Sequence, residues 1–408
     1  MRNNAGGSRR EFLAGLGTLA AATTIGQPRG TSLFGANLHR LAGSGGPVAA
    51  GEIGNKIPLI HCTDLFHPFN DPDDHVDLAT AFALPQLDIR AIILDQGEEQ
   101  AVAPGRIPVE QIEALTGRKV PYATGLGTAL RYPEDKGLNQ FPHYQGAVEL
   151  ILRVLRESAQ KVAFTICGSA RDVVAAYNRE PELFRQKVAR LYFSDGNNGG
   201  GDFQWNPLVD PQAYIRLMTS ELPVYWCPAF GKNDTVADMA AGKLKPDEYR
   251  VYWTFRQSDV FAELPAPLQN YFLYALDRKD PNLTEPLAYL QLPTEQSLRD
   301  KQWKETRYMW STAAIYESAG CEIYRNGKSW VASSSFVPGF EKVSLYEFVA
   351  ARVSIDRDLR VSLAFTGTPG QVKVFHLLDT TSYEAAMQSS LRQLLAHMPL
   401  AEQYTNAG

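Results

Sequence analysis

The chain has 408 residues, 44% of them hydrophobic and 21% charged, with a formal net charge of −5. That length can bury one large core plus an accessory element, and the slightly acidic balance gives no basis for a nucleic-acid partner. Four scattered cysteines, Cys62, Cys167, Cys227 and Cys321, lack any C-x-x-C spacing, which argues against zinc ribbons and a small disulfide framework; most read as buried, small apolar residues.

The first element is Ser8-Arg9-Arg10-Glu11-Phe12-Leu13 followed by a Gly/Ala-rich apolar run to Ile25. Paired arginines ahead of a short, weakly hydrophobic segment read as a twin-arginine export signal. The run is shorter than the about 20 residues a bilayer-spanning helix requires. No later stretch is long and apolar enough to span a membrane, so none is expected in the mature chain. Residues 1–50 are therefore expected to be signal peptide and linker, with the mature protein periplasmic or extracellular.

Ile57-Pro58-Leu59-Ile60-His61 reads as a short buried strand. It leads into Cys62-Thr63-Asp64 and then Asp71-Pro72-Asp73-Asp74-His75-Val76-Asp77. Val76, Ala79, Phe82 and Ala83 take up helical spacing, and Ile89-Arg90-Ala91-Ile92-Ile93-Leu94 reads as a second strand. Strand, acidic loop, helix, strand is a βαβ unit, which is right-handed and parallel. Its loop lies beyond the carboxyl end of the first strand, where open α/β sheets place their ligands. Gathered carboxylates repel one another, and hard oxygen donors suit Ca²⁺ or Mg²⁺. A plainer account treats Asp71 as an N-cap, Pro72 as the first helical residue, and Asp73 and Asp74 as acids complementing the helix dipole. That account leaves Asp64, at the strand end, unexplained.

Further along, Lys161 to Ile166 is strand-like and runs into Cys167-Gly168-Ser169-Ala170-Arg171-Asp172-Val173. The segment from Asn198 to Asp210 carries two asparagines eight residues apart, Asn198 and Asn206. A glycine- and asparagine-rich loop with turn chemistry alone would also account for it. The C-terminal part alternates in Val349–Ile355, Val361–Phe365 and Val372–His376 and reads as an antiparallel meander. Thr381-Ser382-Tyr383-Glu384 then reads as a capping box for a last amphipathic helix reaching about Met398. This element, residues 331–408, is either a small appended lobe or the end of the main fold.

These motifs together resemble the inosine/uridine-preferring nucleoside hydrolases, whose first strand ends in D-T-D-P-G-x-D-D-A. Thr63-Asp64 match the T-D pair and Asp73-Asp74 the final D-D, and Ala81-Phe82-Ala83-Leu84-Pro85-Gln86-Leu87 runs in register with A-L-A-S-P-E-L. Cys62 stands in place of the first aspartate, and the loop Leu65 to Pro72 is about five residues longer than the family pattern. Cys167 to Val173 resembles the turn T-G-G-L-T-N-I, and Asn198 to Asp210 resembles G-N-V-T-P-V-A-E-F-N-I-Y-V-D-P, with Gln204 in place of its glutamate. Trp310-Ser311-Thr312-Ala313-Ala314-Ile315-Tyr316 lies against H-D-P-x-A-V-A. In that register Trp310 stands for the family's leaving-group histidine and Ser311 for its last calcium-ligating aspartate.

The resemblance spans roughly residues 55–320. It implies an α/β fold over 55–330, a mostly parallel central sheet flanked by helices, and calcium-dependent hydrolysis of an N-glycosidic, ribosyl bond. It implies a calcium ion held by Asp64, Asp74 and the Cys167 carbonyl, with Ser311 at the last ligand position, and Asp64 as general base. Asp73, Asn198, Gln204 and Asn206 would line the sugar site, with Glu98 where the family has an asparagine at the ribose. Trp310 can stack on a base or sugar but cannot donate a proton from a titrating nitrogen. His67, on the flexible part of the lengthened loop and able to carry charge near neutral pH, is the candidate general acid or leaving-group contact; the alternative is that the loop only reshapes the pocket. A second class of reading is a secreted carbohydrate- or nucleoside-binding protein that keeps the metal site and has lost turnover. The expected partner is a nucleoside or glycoside, and self-association is left open.

Overall fold

Alternating runs of apolar residues build both faces of a central sheet. In the computed structural model, the described residues are 56–69, 71–198, 205–231, 234, 238, 241–244, 247–277, 285–365 and 372–405. The export-signal reading and Gln204 fall outside them. The first strands are β1 (Ile57–Thr63), β2 (Leu87–Leu94), β3 (Tyr122–Thr124), β4 (Val162–Ile166), β5 (Val188–Ser194) and β6 (Val224–Cys227). Next come β7 (Trp253–Arg256), β8 (Thr306–Met309), β9 (Glu322–Asn326), β10 (Ser329–Ser333) and β11 (Glu341–Val343). The chain ends with β12 (Tyr346–Ile355), β13 (Val361–Ala364) and β14 (Val372–Leu377).

Nine strands form one sheet in the order β13-β12-β14-β6-β5-β4-β1-β2-β3. From β3 across to β14 every neighbouring pair is parallel. Successive residues of each strand feed opposite cores: Leu59 and Ile92 pack with one set, Ile60 and Ile93 with the other. That is why these strands read as continuous apolar runs, as expected where helices cover both faces. The helices Asp73–Ala83, Arg106–Thr116, Ala266–Asp277, Thr312–Ser318 and Tyr383–Ala396 contribute to the first core. The helices Gly146–Glu157, Arg171–Arg179 and Pro211–Met218 contribute to the second. The expected α/β architecture is therefore present, with smaller antiparallel sheets β7-β8 and β10-β9-β11 beside it. All four cysteines are buried and free. Among the described residues no helix is long and apolar enough to cross a membrane.

Two local expectations change. The C-terminal strands are not a simple meander, because β12 pairs through Tyr346–Ala351 with β14 and through Arg352–Ile355 with β13. Since β14 also pairs parallel with β6, this part is the end of the main sheet. The capping box is absent as well: Glu384 instead accepts hydrogen bonds from the backbone N–H and hydroxyl of Thr254, at 3.2 and 2.8 Å. The N–H groups of Thr381 and Ser382 are met by Asp379. A tertiary partner on β7 has outcompeted the local cap.

Candidate active site

The strand order reverses direction at β1 and β4: β2 lies on one side of β1, and β4 to β6 continue on the other. This is the topological switch point, beyond whose carboxyl edge α/β sheets bind ligands. Asp64 follows β1, Asp95 follows β2, Cys167 follows β4 and Asp195 follows β5. Backbone pairing runs one step past the strands, with Asp95 N donating to Thr63 O at 2.9 Å and Cys167 N to Cys62 O at 2.8 Å. Gly168 completes the approach, because a Cβ there would lie 2.9 Å from the Asp64 nitrogen and 3.0 Å from Asp95 Oδ2. A side chain at 168 would push the two acids apart.

The helix Asp73–Ala83 brings the remaining carboxylates. Asp64, Asp73, Asp74 and Asp77 are all buried. The Thr63 hydroxyl donates to Asp74 Oδ1 at 2.7 Å, tying the strand end to the helix start. Asp71 does not cap the helix; the N-cap is Pro72, without a side-chain cap bond, and Asp71 lies 3.8 Å from the Arg307 guanidinium. The cap account thus fails for Asp71, while Asp74 sits in the first turn, where the dipole favours an acid, and takes a tertiary partner as well.

Around this group the predicted residues divide. The Cys167 carbonyl accepts from Asn206 Nδ2 at 2.9 Å, and Asn206 N donates to Asp195 Oδ2 at 2.7 Å. Asn206 Oδ1 is buried and makes no hydrogen bond, so it is an acceptor awaiting a donor. Ser311 is buried at the N-cap of Thr312–Ser318, and its hydroxyl interacts with both Asp77 and the Cys167 thiol. Trp310 is half-buried beside Phe230 at 6.1 Å, Tyr252 at 6.0 Å and Tyr308 at 6.5 Å between ring centroids.

Three of the expected residues sit in other surroundings than anticipated. Glu98 is exposed, on the short helix Gly97–Gln100; Gln96 reaches Asp64 instead, its Nε2 donating to Oδ2 at 3.4 Å. Asn198 spends its side-chain amide on the Tyr249 carbonyl at 3.0 Å, which makes it a brace between loops. His67 is buried and stacked on Tyr274 at 4.7 Å between ring centroids, and burial lowers its pKa to about 4. A ring so placed is a poor proton donor at neutral pH.

The sheet and its flanking helices have solved counterparts. A purine-preferring ribonucleoside hydrolase from Gardnerella vaginalis superposes with a TM-score of 0.52, covering 83% of this chain and 99% of that one at 14% identity. A plant nucleoside hydrolase gives 0.52 over 84% of this chain and 100% of that one at 17% identity. In sequence, the pyrimidine-specific ribonucleoside hydrolase RihA of Enterobacter sp. (strain 638) is 30% identical over 193 residues, 41% of this chain. The chain shares the fold of the nucleoside hydrolases and resembles them in sequence over 41% of its length. The RihA of Escherichia coli O7:K1 is 29% identical over 188 residues, and the alignments span 58% of the length of these relatives. No family model matches the chain.

At this site the metal question rests on the donors. Among the described residues no group of three or more His, Cys, Asp or Glu side chains is placed to hold a metal ion. The chemistry of the donor set nevertheless fits a hard divalent cation: buried carboxylate and carbonyl oxygens, without an imidazole or thiolate. Both sulfurs stay protonated, the Cys167 thiol pushed up by burial and Asp77, and the Cys62 thiol by burial, Asp172 and Asp95. The acids carry the strain of their gathering. Burial, then Asp71 and Asp64, raise the Asp77 pKa to about 8 against the lowering effect of Ser311. Burial and Asp95 raise Asp172 to about 7. The sequence reading passed over Asp77, Asp95 and Gln96; the signal for the last two was an Asp-Gln-Gly directly after an apolar strand.

These shifts set a pH dependence. A carboxyl whose pKa is raised on folding costs stability progressively from its unfolded value, near 3.8, up to its folded value, so Asp77 and Asp172 weaken the fold as pH rises to about 7–8. His61 and His67, lowered from 6.5 to about 4, act oppositely between those values and contribute nothing further above 6.5. In the presence of chelator the melting temperature should therefore fall between pH 6.5 and 8. A melting temperature that stays flat or climbs across that window would contradict the assignment of these buried acids.

Proposed function

We propose that this chain hydrolyses the N-glycosidic bond of ribonucleosides with the aid of a calcium ion. The observation that carries this reading is Asp64, buried at the switch point among Asp73, Asp74 and Asp77. Asp64, Asp74 and the Cys167 carbonyl, with Ser311, would hold the ion. A bound calcium ion would offset the gathered negative charge and polarise water. Asp64 takes the proton from the attacking water as general base. Asp73 and the open Oδ1 of Asn206 accept hydrogen bonds from sugar hydroxyls while positive charge develops at the anomeric carbon. Trp310, with Phe230, Tyr252 and Tyr308, offers an aromatic face to the base. The arginine pair at positions 9 and 10 supports export of the folded chain to the periplasm or beyond.

Release of reducing sugar from a panel of ribonucleosides, with calcium and with chelator, tests the proposal. Calcium-dependent release of ribose is expected. Tight nucleoside binding without turnover would instead establish the binding-protein reading, which the neutral, buried His67 and the half-buried Trp310 favour because neither supplies a leaving-group proton.

Trp310→Ala separates lining from packing. Base–aromatic stacking contributes about 1–3 kcal/mol, so KM should rise roughly tenfold with the melting temperature within a few degrees of wild type. A loss of about 3–5 kcal/mol in stability with unchanged KM would mark Trp310 as a core residue.

A further inference from the structure

The helix Asp73–Ala83 carries a fourth acid that the site residues above do not explain. Asp77 lies one turn beyond Asp73 and Asp74, on the face they share at i, i+3 and i+4 spacing. It is 0% exposed, and neither of its carboxylate oxygens makes a hydrogen bond of ordinary geometry. Its charged neighbours, Asp71 and Asp64, are both negative. The nearby guanidinium of Arg307 faces Asp71 and Asp73. Ser311 approaches Asp77 from across the site, and the Cys167 residue lies in the same field. A buried carboxylate among like charges, with only the neutral Ser311 hydroxyl approaching it, is costly unless a cation joins it.

We propose that Asp77 is a ligand of the divalent cation and supplies, from the helix, the negative charge that the neutral Ser311 does not bring to the opposite side. The inference rests on the calcium-dependent reading above and adds to it a ligand from a position the motif resemblance does not predict. Charge count sets calcium affinity at oxygen sites, so the exchange of a charge between these two positions leaves the site's total unchanged.

Calcium titration of the full chain by calorimetry, after chelator treatment and desalting, is the test, with the calcium-induced rise in melting temperature as a second readout. Asp77→Asn keeps shape and removes charge; it should weaken calcium binding by about tenfold or more and raise the melting temperature in chelator. Adding Ser311→Asp to that variant should restore binding. Ser311→Asp alone should tighten binding and lower the chelator melting temperature, which keeps the proposal testable if Asp77→Asn fails to fold. Wild-type-like calcium affinity in Asp77→Asn, or an unchanged affinity in Ser311→Asp, overturns the role of Asp77 while leaving a calcium site in place. Absence of calcium binding by the wild-type chain overturns both readings.

Discussion

Asp64→Asn should reduce kcat on a ribonucleoside by about 10²–10⁴-fold, the range for loss of a positioned general base, while the fold persists. The side chain leaves the carboxyl end of β1 directly at the switch point, 1% exposed. Its backbone is fixed by the close approach of Gly168, and its Oδ2 receives a contact of 3.4 Å from Gln96 Nε2. Asparagine occupies the same volume and still accepts from Gln96, but it cannot take a proton from water. It also removes one negative charge from a group where Asp64 raises the pKa of Asp77 and Asp95. The melting temperature in chelator should therefore hold or rise. Retention of more than a tenth of wild-type kcat would remove Asp64 from the role of base.

The largest effect on stability is expected at Arg171. This guanidinium is 3% exposed and donates to Asp210 Oδ2 at 3.0 Å and to the carbonyls of Leu126, Gly127 and Val209. Asp210 in turn receives the N–H groups of Leu130 and Ala213, capping the helix Pro211–Met218. Arg171→Ala leaves a buried carboxylate without its counter-charge and removes a donor from three carbonyls, of which that of Leu126 still accepts from Gly97 N. Breaking one partner out of a buried pair costs about 3–5 kcal/mol, and denaturant unfolding should show a loss of that size. Val209 ends the short helix that carries Asn206, so any enzyme that still folds should also show a higher KM. A loss below about 1 kcal/mol would mean that the pair contributes little beyond what water supplies.

The parts of this molecule that were legible in sequence share one property: their determinants are local. The run Ile57–His61, the acidic loop and the run Ile89–Leu94 each bury a continuous stretch, so the βαβ unit and the placement of Asp64, Asp73 and Asp74 follow from a few dozen residues. Asp77 was obscured because helical spacing of Val76, Ala79, Phe82 and Ala83 leaves it on the face expected to be solvated. In the fold every residue of Asp73–Ala83 is buried, since helices pack around it as well as the sheet beneath. Periodicity reports one apolar stripe and cannot reveal a helix enclosed on all sides. The surroundings of His67, Asn198 and Glu98 were not legible for the complementary reason. Their environments are set by Tyr274, Tyr249 and the turn at Gln96, partners that come from distant chain or from left-handed backbone with φ of 59°. The same holds for Glu384, whose cap was taken over by Thr254.

The pairing of β14 with β6 sets an order of events during synthesis. Lys373 sits beside Tyr225 although 148 positions separate them in the chain. While the ribosome makes the intervening residues, β6 presents unpaired N–H and C=O groups along one flank, the kind of edge that recruits foreign strands. Long-range parallel pairing is also intrinsically slow. A nascent chain stalled before Val372 would thus hold its acidic loop and first six parallel strands in place yet remain prone to aggregate. Chaperone dependence should concentrate in that interval and end once the last parallel strand seals the edge.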